Sequence, residues 1–202
     1  MRLSTVLFDK PGEVNTDKTL KLAFKYALRL PSKTVLLPSS RGVVARKAAE
    51  MNPDGVRLIV FTHHVGYYHD DEDEFETGLR DWLKSRGIEV VTMTHAFAGI
   101  DRGMRKIFKG IYPTEIFALA LRTFGEGTKV AIEIAVMAAD AGLVSTKDVV
   151  VSLGGTARGV DTAIIIKPSH TRNIWQVRPI HFICKPAFYK LPNLEDISDG
   201  QG

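Results

Sequence analysis

Two hydrophobic patterns alternate along the chain. Continuous apolar, β-branched runs at residues 34–37, 56–61, 88–93 and 149–153 are typical of strands buried on both faces of a parallel sheet. Between these runs, apolar residues recur at i, i+3, i+4 and i+7, the spacing of one helical face. This spacing predicts helices between Thr16 and Pro31 and over 43–51, 75–86, 114–123 and 128–143.

Shorter apolar segments at 3–8, 162–166 and 180–184 predict further strands. The link between 153 and 162 is too short for the crossover that joins parallel strands, so the strand at 162–166 should pair antiparallel with its predecessor. Strand–helix alternation predicts a three-layer α/β/α domain with a mixed, mainly parallel sheet of five to six strands. The antiparallel strand is expected toward one edge. Residues 96–113, rich in glycine and basic side chains, receive no assignment.

Composition narrows the class of protein. A chain of 202 residues with 45% hydrophobic and 25% charged residues fits one globular domain, predicted over 1–186, followed by a polar, flexible tail at 187–202. We expect no membrane span or signal peptide, because no apolar run approaches about 20 residues. The lone Cys184 suggests a reducing cytoplasm and a buried strand position. The net charge of +4 is mild, and no nucleic-acid partner is expected, because basic residues do not alternate with stacking aromatics.

Polar and small residues follow four of the predicted strands. In open α/β sheets, ligands bind at the carboxyl ends of the strands. Two of these segments have the ingredients of a phosphate site: hydroxyls and an arginine before a helix N-terminus, and a glycine-rich loop that lets backbone N–H groups approach an anion. A tight turn with a helix cap is the alternative interpretation of either loop. The predicted ligand-binding residues are Ser39, Ser40, Arg41, Gly42, Thr62, His63, Thr94, Gly154, Gly155, Thr156, Arg158, Gly159 and Thr162.

Histidines and carboxylates supply candidate acid–base groups. His63 and His95 end strands and could accept or donate protons near neutral pH, although a hydrogen-bonded structural role is the favoured interpretation for each. No metal site is expected, because adjacent His63 and His64 leave a strand on opposite faces. The acidic run at 69–74 is interpreted as a solvated loop. Glu133 lies in an apolar helix seven residues before Asp140; solvent exposure is the simpler interpretation and a buried carboxylate facing a ligand is the alternative.

Two sets of segments carry resemblances to known proteins. Residues 34–62 and 148–168 resemble the pyruvate kinase C-terminal domain, in which a Ser-Gly-Arg-Ser type loop follows one strand and a glycine-rich loop joins the two strands of the last hairpin. Over about 3–185, the chain resembles more closely a group of stand-alone proteins similar to this domain and found mainly in archaea. The shared segments are FDKPGEVNTDKTL, IEIAVMAADAGL and GGTARGVDTAIIIKPSH.

The resemblance implies a fold like that of the pyruvate kinase C-terminal domain, and a binding role. In pyruvate kinase this domain is regulatory, its two loops hold phosphates, and catalysis belongs to a separate barrel. The first loop here is Ser-Ser-Arg-Gly, and the stand-alone group suggests a nucleotide rather than a sugar bisphosphate, with flavin mononucleotide (FMN) the leading candidate. Tyr67, Phe97 or Gly99 would line a place for its flat ring.

Three functions are therefore carried forward. The first is binding of a phosphate-bearing small molecule. The second is a flavin-dependent or other small-molecule enzyme that uses His63, His95 or Glu133. The third is a regulatory or oligomerisation module forming a homo-oligomer, which would require an exposed apolar face on the strand at 180–184.

Overall fold

Seven strands and six α-helices alternate along residues 3–187, the part of the chain that the computed structural model describes. The strands are β1 (Val6–Phe8), β2 (Thr34–Pro38), β3 (Arg57–Thr62), β4 (Glu89–Thr92), β5 (Val150–Gly154), β6 (Thr162–Lys167) and β7 (Arg178–Pro186). The helices are α1 (Thr16–Ala27), α2 (Val43–Met51), α3 (Thr77–Ser85), α4 (Gly99–Phe108), α5 (Pro113–Arg122) and α6 (Glu126–Asp140). Short 3-10 turns lie at Glu13–Asn15 and Thr171–Gln176.

All seven strands form one sheet in the order β1-β7-β6-β5-β2-β3-β4. Only β6 runs antiparallel to its neighbours, and Gly154 pairs with Thr162 across the short link, as predicted. The sheet has seven strands rather than five to six. The antiparallel strand lies third from the edge, because β7 pairs with β6 and the short β1 pairs with β7 outside it.

Helices cover both faces of the sheet and confirm the three-layer prediction. On one face, apolar residues of α1, α2 and α3 pack against the strands around Leu20, Ala48 and Leu83. On the other, α6 and α5 pack over Leu36, Ile59 and Ile164. The Ser152 hydroxyl at the sheet centre donates to the Ala131 carbonyl oxygen of α6 at 2.7 Å. None of the helices within residues 3–187 combines the length and apolar character needed to cross a bilayer.

Element boundaries differ from the predictions where polar contacts override hydrophobic spacing. The unassigned segment 96–113 contains α4 and the start of α5. Phe75 precedes α3 instead of belonging to it, because its N–H donates to the Asp73 carboxylate at 3.0 Å, in the loop before the helix. The tail predicted at 187–202 falls, from residue 188 onward, outside the described residues.

Candidate functional site

The carboxyl ends of four parallel strands meet at one edge of the sheet. Strands β5, β2, β3 and β4 are consecutive neighbours and run in the same direction. The loop 39–42 therefore lies between the glycine-rich loop 154–159 and the end of β3, with the end of β4 beyond. This order makes neighbours of all four strand ends that the sequence marks as polar.

The loop 39–42 opens directly into the N-terminus of α2. The N–H of buried Ser39 donates to the Phe61 carbonyl oxygen at 2.9 Å, and its hydroxyl oxygen accepts the Ala45 N–H at 3.1 Å. Gly42 has a φ of 95°, and a Cβ there would lie 2.3 Å from Leu79 Cδ2. Ser39 and Gly42 thus have structural roles, while the N–H groups of Val43 and Val44, which precede the first intrahelical bond, remain suited to an anion.

Arg41 faces an acidic loop across an open cleft. Its side chain is 71% exposed, and its Nε lies 3.9 Å from Glu74 Oε2. The cleft has a volume of about 340 Å³, at the lower end of the range of small-molecule sites, and is lined by Arg41, Tyr68, His69, Glu72 and Glu74. An exposed cation and a carboxylate lining the same cleft suit a ligand with both an anionic group and hydrogen-bond donors.

Glu74 corrects the interpretation of the acidic run as a wholly solvated loop. Its side chain is only 9% exposed, and neither carboxylate oxygen has a hydrogen-bond partner among residues 3–187. His63 Nδ1 is the nearest imidazole nitrogen, at 3.5 Å from Oε2. Arg41 and His63 offset its charge, but at 3.9 and 3.5 Å both stand farther away than a normal hydrogen-bond donor, so Glu74 is the strongest indication of a ligand site in the cleft.

The ends of β3 and β4 bring together an aromatic cluster. The His63 ring stacks on Tyr67 at 3.8 Å between centroids and meets His95 edge-on at 5.2 Å. The Arg102 guanidinium of α4 lies 4.9 Å from the Tyr67 ring centroid. Thr62 lies beneath, buried, with its hydroxyl 2.8 Å from that of Thr92. The two strand-end histidines are therefore neighbours.

Burial keeps both histidines neutral near pH 7. It lowers the pKa of His95 to about 4, and the nearby Glu133 carboxylate only partly opposes this effect. Burial also lowers the pKa of His63, although Glu74 favours its protonated form. Both imidazoles are thus unprotonated at this edge, and His63, faced by Glu74, is the better candidate for the base that the alternative enzymatic function needs.

Stability should fall with acidification because of His95. In the unfolded chain His95 becomes protonated below about pH 6.5, whereas in the folded chain it becomes protonated only near pH 4. The contribution of neutral His95 to stability is therefore complete above pH 6.5 and is lost as the pH falls toward 4. Between pH 7.5 and 4, wild type should lose about 3 kcal/mol more of unfolding free energy than a His95→Gln variant. Urea unfolding followed by circular dichroism measures both slopes. A His69→Asn variant, at an exposed histidine, should keep the wild-type slope, and equal slopes for wild type and His95→Gln would contradict the prediction.

A second cavity beside the cluster is much smaller. It has about 20 Å³, enough for one water molecule, and is lined by His64, Tyr67, Thr94, His95, Ala98, Gly99 and Arg102. Of the residues expected near a flat ring, Tyr67 and Gly99 line this cavity. Phe97 does not: it is buried in the core and packs edge-on against Phe117 at 5.1 Å.

The glycines of loop 154–159 are explained by packing. A Cβ on Gly154 would lie 1.9 Å from the Gly127 carbonyl oxygen, and one on Gly155 2.1 Å from that of Gly159. A Cβ on Gly159 would approach Thr16 Oγ1 to 2.4 Å. Close backbone approach by strand, helix and loop therefore requires glycine at these positions whether or not the loop binds a phosphate.

A buried carboxylate that the sequence pattern did not single out holds this loop. Asp161 accepts the N–H groups of Gly12 at 2.8 Å and Thr156 at 3.2 Å, and the Thr162 hydroxyl at 2.9 Å. The Thr156 N–H is thus engaged within the fold. The Thr156 hydroxyl is buried and has no partner in the described part of the chain, and Arg158 is exposed beside it.

Residues 17–166, from the first turn of α1 to the end of β6, match the family model described as pyruvate kinase, alpha/beta domain. The match covers well over half of the chain. This chain belongs to the pyruvate kinase alpha/beta domain family. The predicted resemblance to the pyruvate kinase C-terminal domain and the predicted fold class are thereby confirmed. Both predicted phosphate loops, the aromatic cluster and the cleft of Arg41 and Glu74 lie inside the matched residues.

In this pyruvate kinase alpha/beta domain, Glu133 is buried, so the simpler expectation of solvent exposure was wrong. One oxygen accepts the Phe97 N–H at 2.8 Å, and the other pairs with the buried Lys129 ammonium one helical turn away. Asp140, two turns on, contacts His170 Nδ1 at 3.1 Å and the Thr171 N–H. With both oxygens engaged, Glu133 is the least available of the three acid–base candidates.

Cys184 of this pyruvate kinase alpha/beta domain is fully buried, as predicted. Burial raises the pKa of its thiol to about 11, which makes it a poor nucleophile. The side chain therefore serves the packing of β7. Among residues 3–187, no three His, Cys, Asp or Glu side chains converge as metal ligands.

Proposed function

We propose that this chain binds a phosphate-bearing small molecule in the cleft between Arg41 and Glu74. The observation that carries the proposal is the buried Glu74 carboxylate, which lacks a hydrogen-bond partner within residues 3–187 and lines a cleft of about 340 Å³. A ligand that donates hydrogen bonds to Glu74 would remove the penalty of leaving it unsatisfied.

The charges that line the cleft set the orientation of the ligand. Glu74 and Glu72 repel a phosphate, so the phosphate belongs on the exposed side of Arg41 away from Glu74, where the first N–H groups of α2 and the helix dipole also favour an anion. Ribose or ribityl hydroxyls are donors of the kind that the Glu74 carboxylate lacks. Exposed Tyr68 offers a face for a flat ring. These features support a nucleotide, and FMN combines all three groups.

The neighbouring loop 154–159 extends the proposed anion site. Strand pairing makes it adjacent to loop 39–42, and its Thr156 hydroxyl is buried without a partner in the described residues. We propose that Thr156 and exposed Arg158 bind a second anionic group of a longer ligand, with the glycines serving the packing of the loop.

Binding is tested by thermal shift and calorimetry with FMN, riboflavin and a sugar bisphosphate. FMN at a hundred times its Kd adds about 2.7 kcal/mol of stability, or about 5–10 °C in Tm for a chain of this size. Riboflavin, without the phosphate, should bind at least about 10-fold more weakly, and so should FMN to an Arg41→Ala variant. Glu74→Gln should weaken FMN and riboflavin alike, because it alters the contact to the hydroxyls.

An Arg29→Ala variant is the matched control, since exposed Arg29 follows the C-terminal end of α1, at the opposite edge of the sheet. It should bind FMN as wild type does. The proposal fails if no phosphate compound raises Tm, or if binding is unchanged in both Arg41→Ala and Glu74→Gln.

The second candidate is a flavin-dependent or other small-molecule enzyme. It is favoured by the contact of His63 with His95, whose ring centroids are 5.2 Å apart. His63, whose protonated form Glu74 favours, is the better proton acceptor, because burial lowers the pKa of His95 to about 4 and makes it a weak base. A His63→Asn variant that binds FMN normally but no longer turns over a reductant would support it. The flavin-dependent form is rejected if the wild-type protein is colourless as purified and shows no redox activity when FMN is added.

Within the family, we propose that the chain belongs with the stand-alone, mainly archaeal proteins that its three shared segments resemble, and that it works in the cytoplasm. The buried, unpaired Cys184 supports a reducing compartment. Mass measurement of the intact native protein and of any ligand that co-purifies with it tests both the stand-alone state and the FMN assignment.

A further inference from the structure

Helix α4 is amphipathic, but its apolar side faces solvent. Ile100, Ile107 and Phe108 are 81%, 74% and 70% exposed, and no residue of the helix is buried. Globular proteins normally turn the apolar side of such a helix inward. The reversed orientation means that this side has no partner within residues 3–187.

The polar side of α4 makes the contacts with the rest of the protein. Asp101 accepts the Thr114 N–H at 3.2 Å, and Arg105 Nη1 lies 2.9 Å from Glu115 Oε1. Arg102 lies over the Tyr67 ring. These polar contacts fix α4 to α5 and to the aromatic cluster, and hold its apolar residues outward.

The exposed apolar surface continues beyond α4. The next helix, α5, packs its Phe117 and Leu121 against the core and leaves its other side exposed. The α4–α5 surface, as we call it, comprises the exposed side chains of Ile100, Met104, Ile107, Phe108, Ile111, Ile116 and Leu119. Isolated exposed hydrophobics need no explanation, whereas seven of them within 20 residues on two consecutive helices indicate an interaction site.

The final strand does not offer the exposed face that an oligomerisation module was expected to use. Strand β7 lies between β1 and β6, and Ile183 and Cys184 on it are buried. Ile180 alone of the large apolar residues at 180–184 is exposed more than a third. The α4–α5 surface is therefore the stronger candidate for an interface.

We propose that the α4–α5 surface binds a second copy of this chain in a two-fold symmetric dimer. Burying an Ile, Leu, Met or Phe side chain removes about 60–120 Å² of apolar area from water. Seven such residues with their neighbours approach the ~800 Å² that each partner contributes to a standard interface. A surface this apolar needs an apolar partner, and in a two-fold dimer the same surface supplies it.

The orientation of the basic residues argues against a membrane as the partner. Helices that bind anionic lipid place lysine and arginine beside the apolar side. Here Arg102 lies over the Tyr67 ring, and the half-exposed Arg105 pairs with Glu115. Lys106 is thus the one basic residue of α4 without such a contact among the described residues, so an anionic surface gains little charge from this helix, whereas a second copy needs none.

Sedimentation velocity of the full chain from about 1 to 100 μM tests the dimer. We expect a species of twice the 22.3 kDa chain mass. Ile107→Asp and Phe108→Asp should each weaken self-association by at least about 100-fold, because each buries an unpaired carboxylate at the interface. Both residues are exposed in the single chain, so both variants should keep the wild-type circular dichroism.

The control is Val14→Asp, at an exposed valine in the turn Glu13–Asn15, which should remain dimeric. A wild-type monomer at every concentration overturns the proposal, and so does a dimer that persists in both α4 variants. Co-sedimentation of a monomer with phosphatidylglycerol vesicles, lost in Ile107→Asp, would assign the surface to lipid instead and also overturn it.

Discussion

A Gly154→Ala variant is expected to lose more than about 3 kcal/mol of unfolding free energy, and to accumulate poorly as folded protein. The added Cβ would lie 1.9 Å from the Gly127 carbonyl oxygen and 3.0 Å from the Ala131 nitrogen. Both are backbone atoms of α6, so no side-chain rotation relieves the clash, and the helix must shift off the sheet. Urea unfolding followed by circular dichroism measures the loss.

Gly103→Ala is the matched control for this steric effect. Gly103 lies inside α4, where a Cβ would have no neighbouring atom within 4 Å among the described residues, and neither glycine has a positive φ. Alanine there should stabilise the chain by about 0.5–1 kcal/mol. If Gly154→Ala instead lost FMN binding with less than about 1 kcal/mol of stability, the glycine would serve a ligand and the packing explanation would be wrong.

Hydrophobic spacing predicted the fold well because burial dictates it. The continuous apolar runs at 34–37 and 149–153 became β2 and β5 within one residue at each end, since both faces of those strands are covered. The short link after Leu153 was enough to orient β6. The number of strands was predicted less well, because β1 has only three residues and forms by pairing with β7, which lies far along the chain.

The sequence predicted the candidate site only in part. Strand-end position brought His63 and His95 together, because neighbouring parallel strands end at the same edge. Glu74 was missed because it sits in an acidic run whose other members are exposed; Phe75, the buried residue after it, was the available signal. Burial of Glu133 depends on Lys129 one turn earlier, and an i, i+4 ion pair in sequence is typical of a solvated helix side.

The α4 helix links the proposed dimer to the site. Arg102 reaches the Tyr67 ring from the inner side of α4, and Gly99 lines the small cavity beside His95. Covering the outer side of α4 would restrain the helix that carries these two residues. A dimer-disrupting Ile107→Asp variant should therefore retain the Arg41–Glu74 cleft, because its residues belong to other segments, while loosening the packing around the histidines.

A Lys129→Met variant is expected to lose about 3–5 kcal/mol of unfolding free energy at pH 7. Methionine fills a similar volume, but it leaves the Glu133 carboxylate buried with the Phe97 N–H as its remaining donor. A buried charge without a counter-charge costs far more than the pair itself contributes. Equilibrium urea unfolding of the variant and wild type measures the loss.

The double variant Lys129→Met/Glu133→Gln separates the charge from the packing. The neutral amide can still accept the Phe97 N–H, so the double variant should be more stable than Lys129→Met alone, with a coupling energy of about 2 kcal/mol or more. Arg122→Met removes an exposed pair with Glu126 at the same i, i+4 spacing and should cost less than about 1 kcal/mol. Equal losses in Lys129→Met and Arg122→Met would mean that water reaches Glu133, and the acid–base role that its burial disfavours would become open to it again.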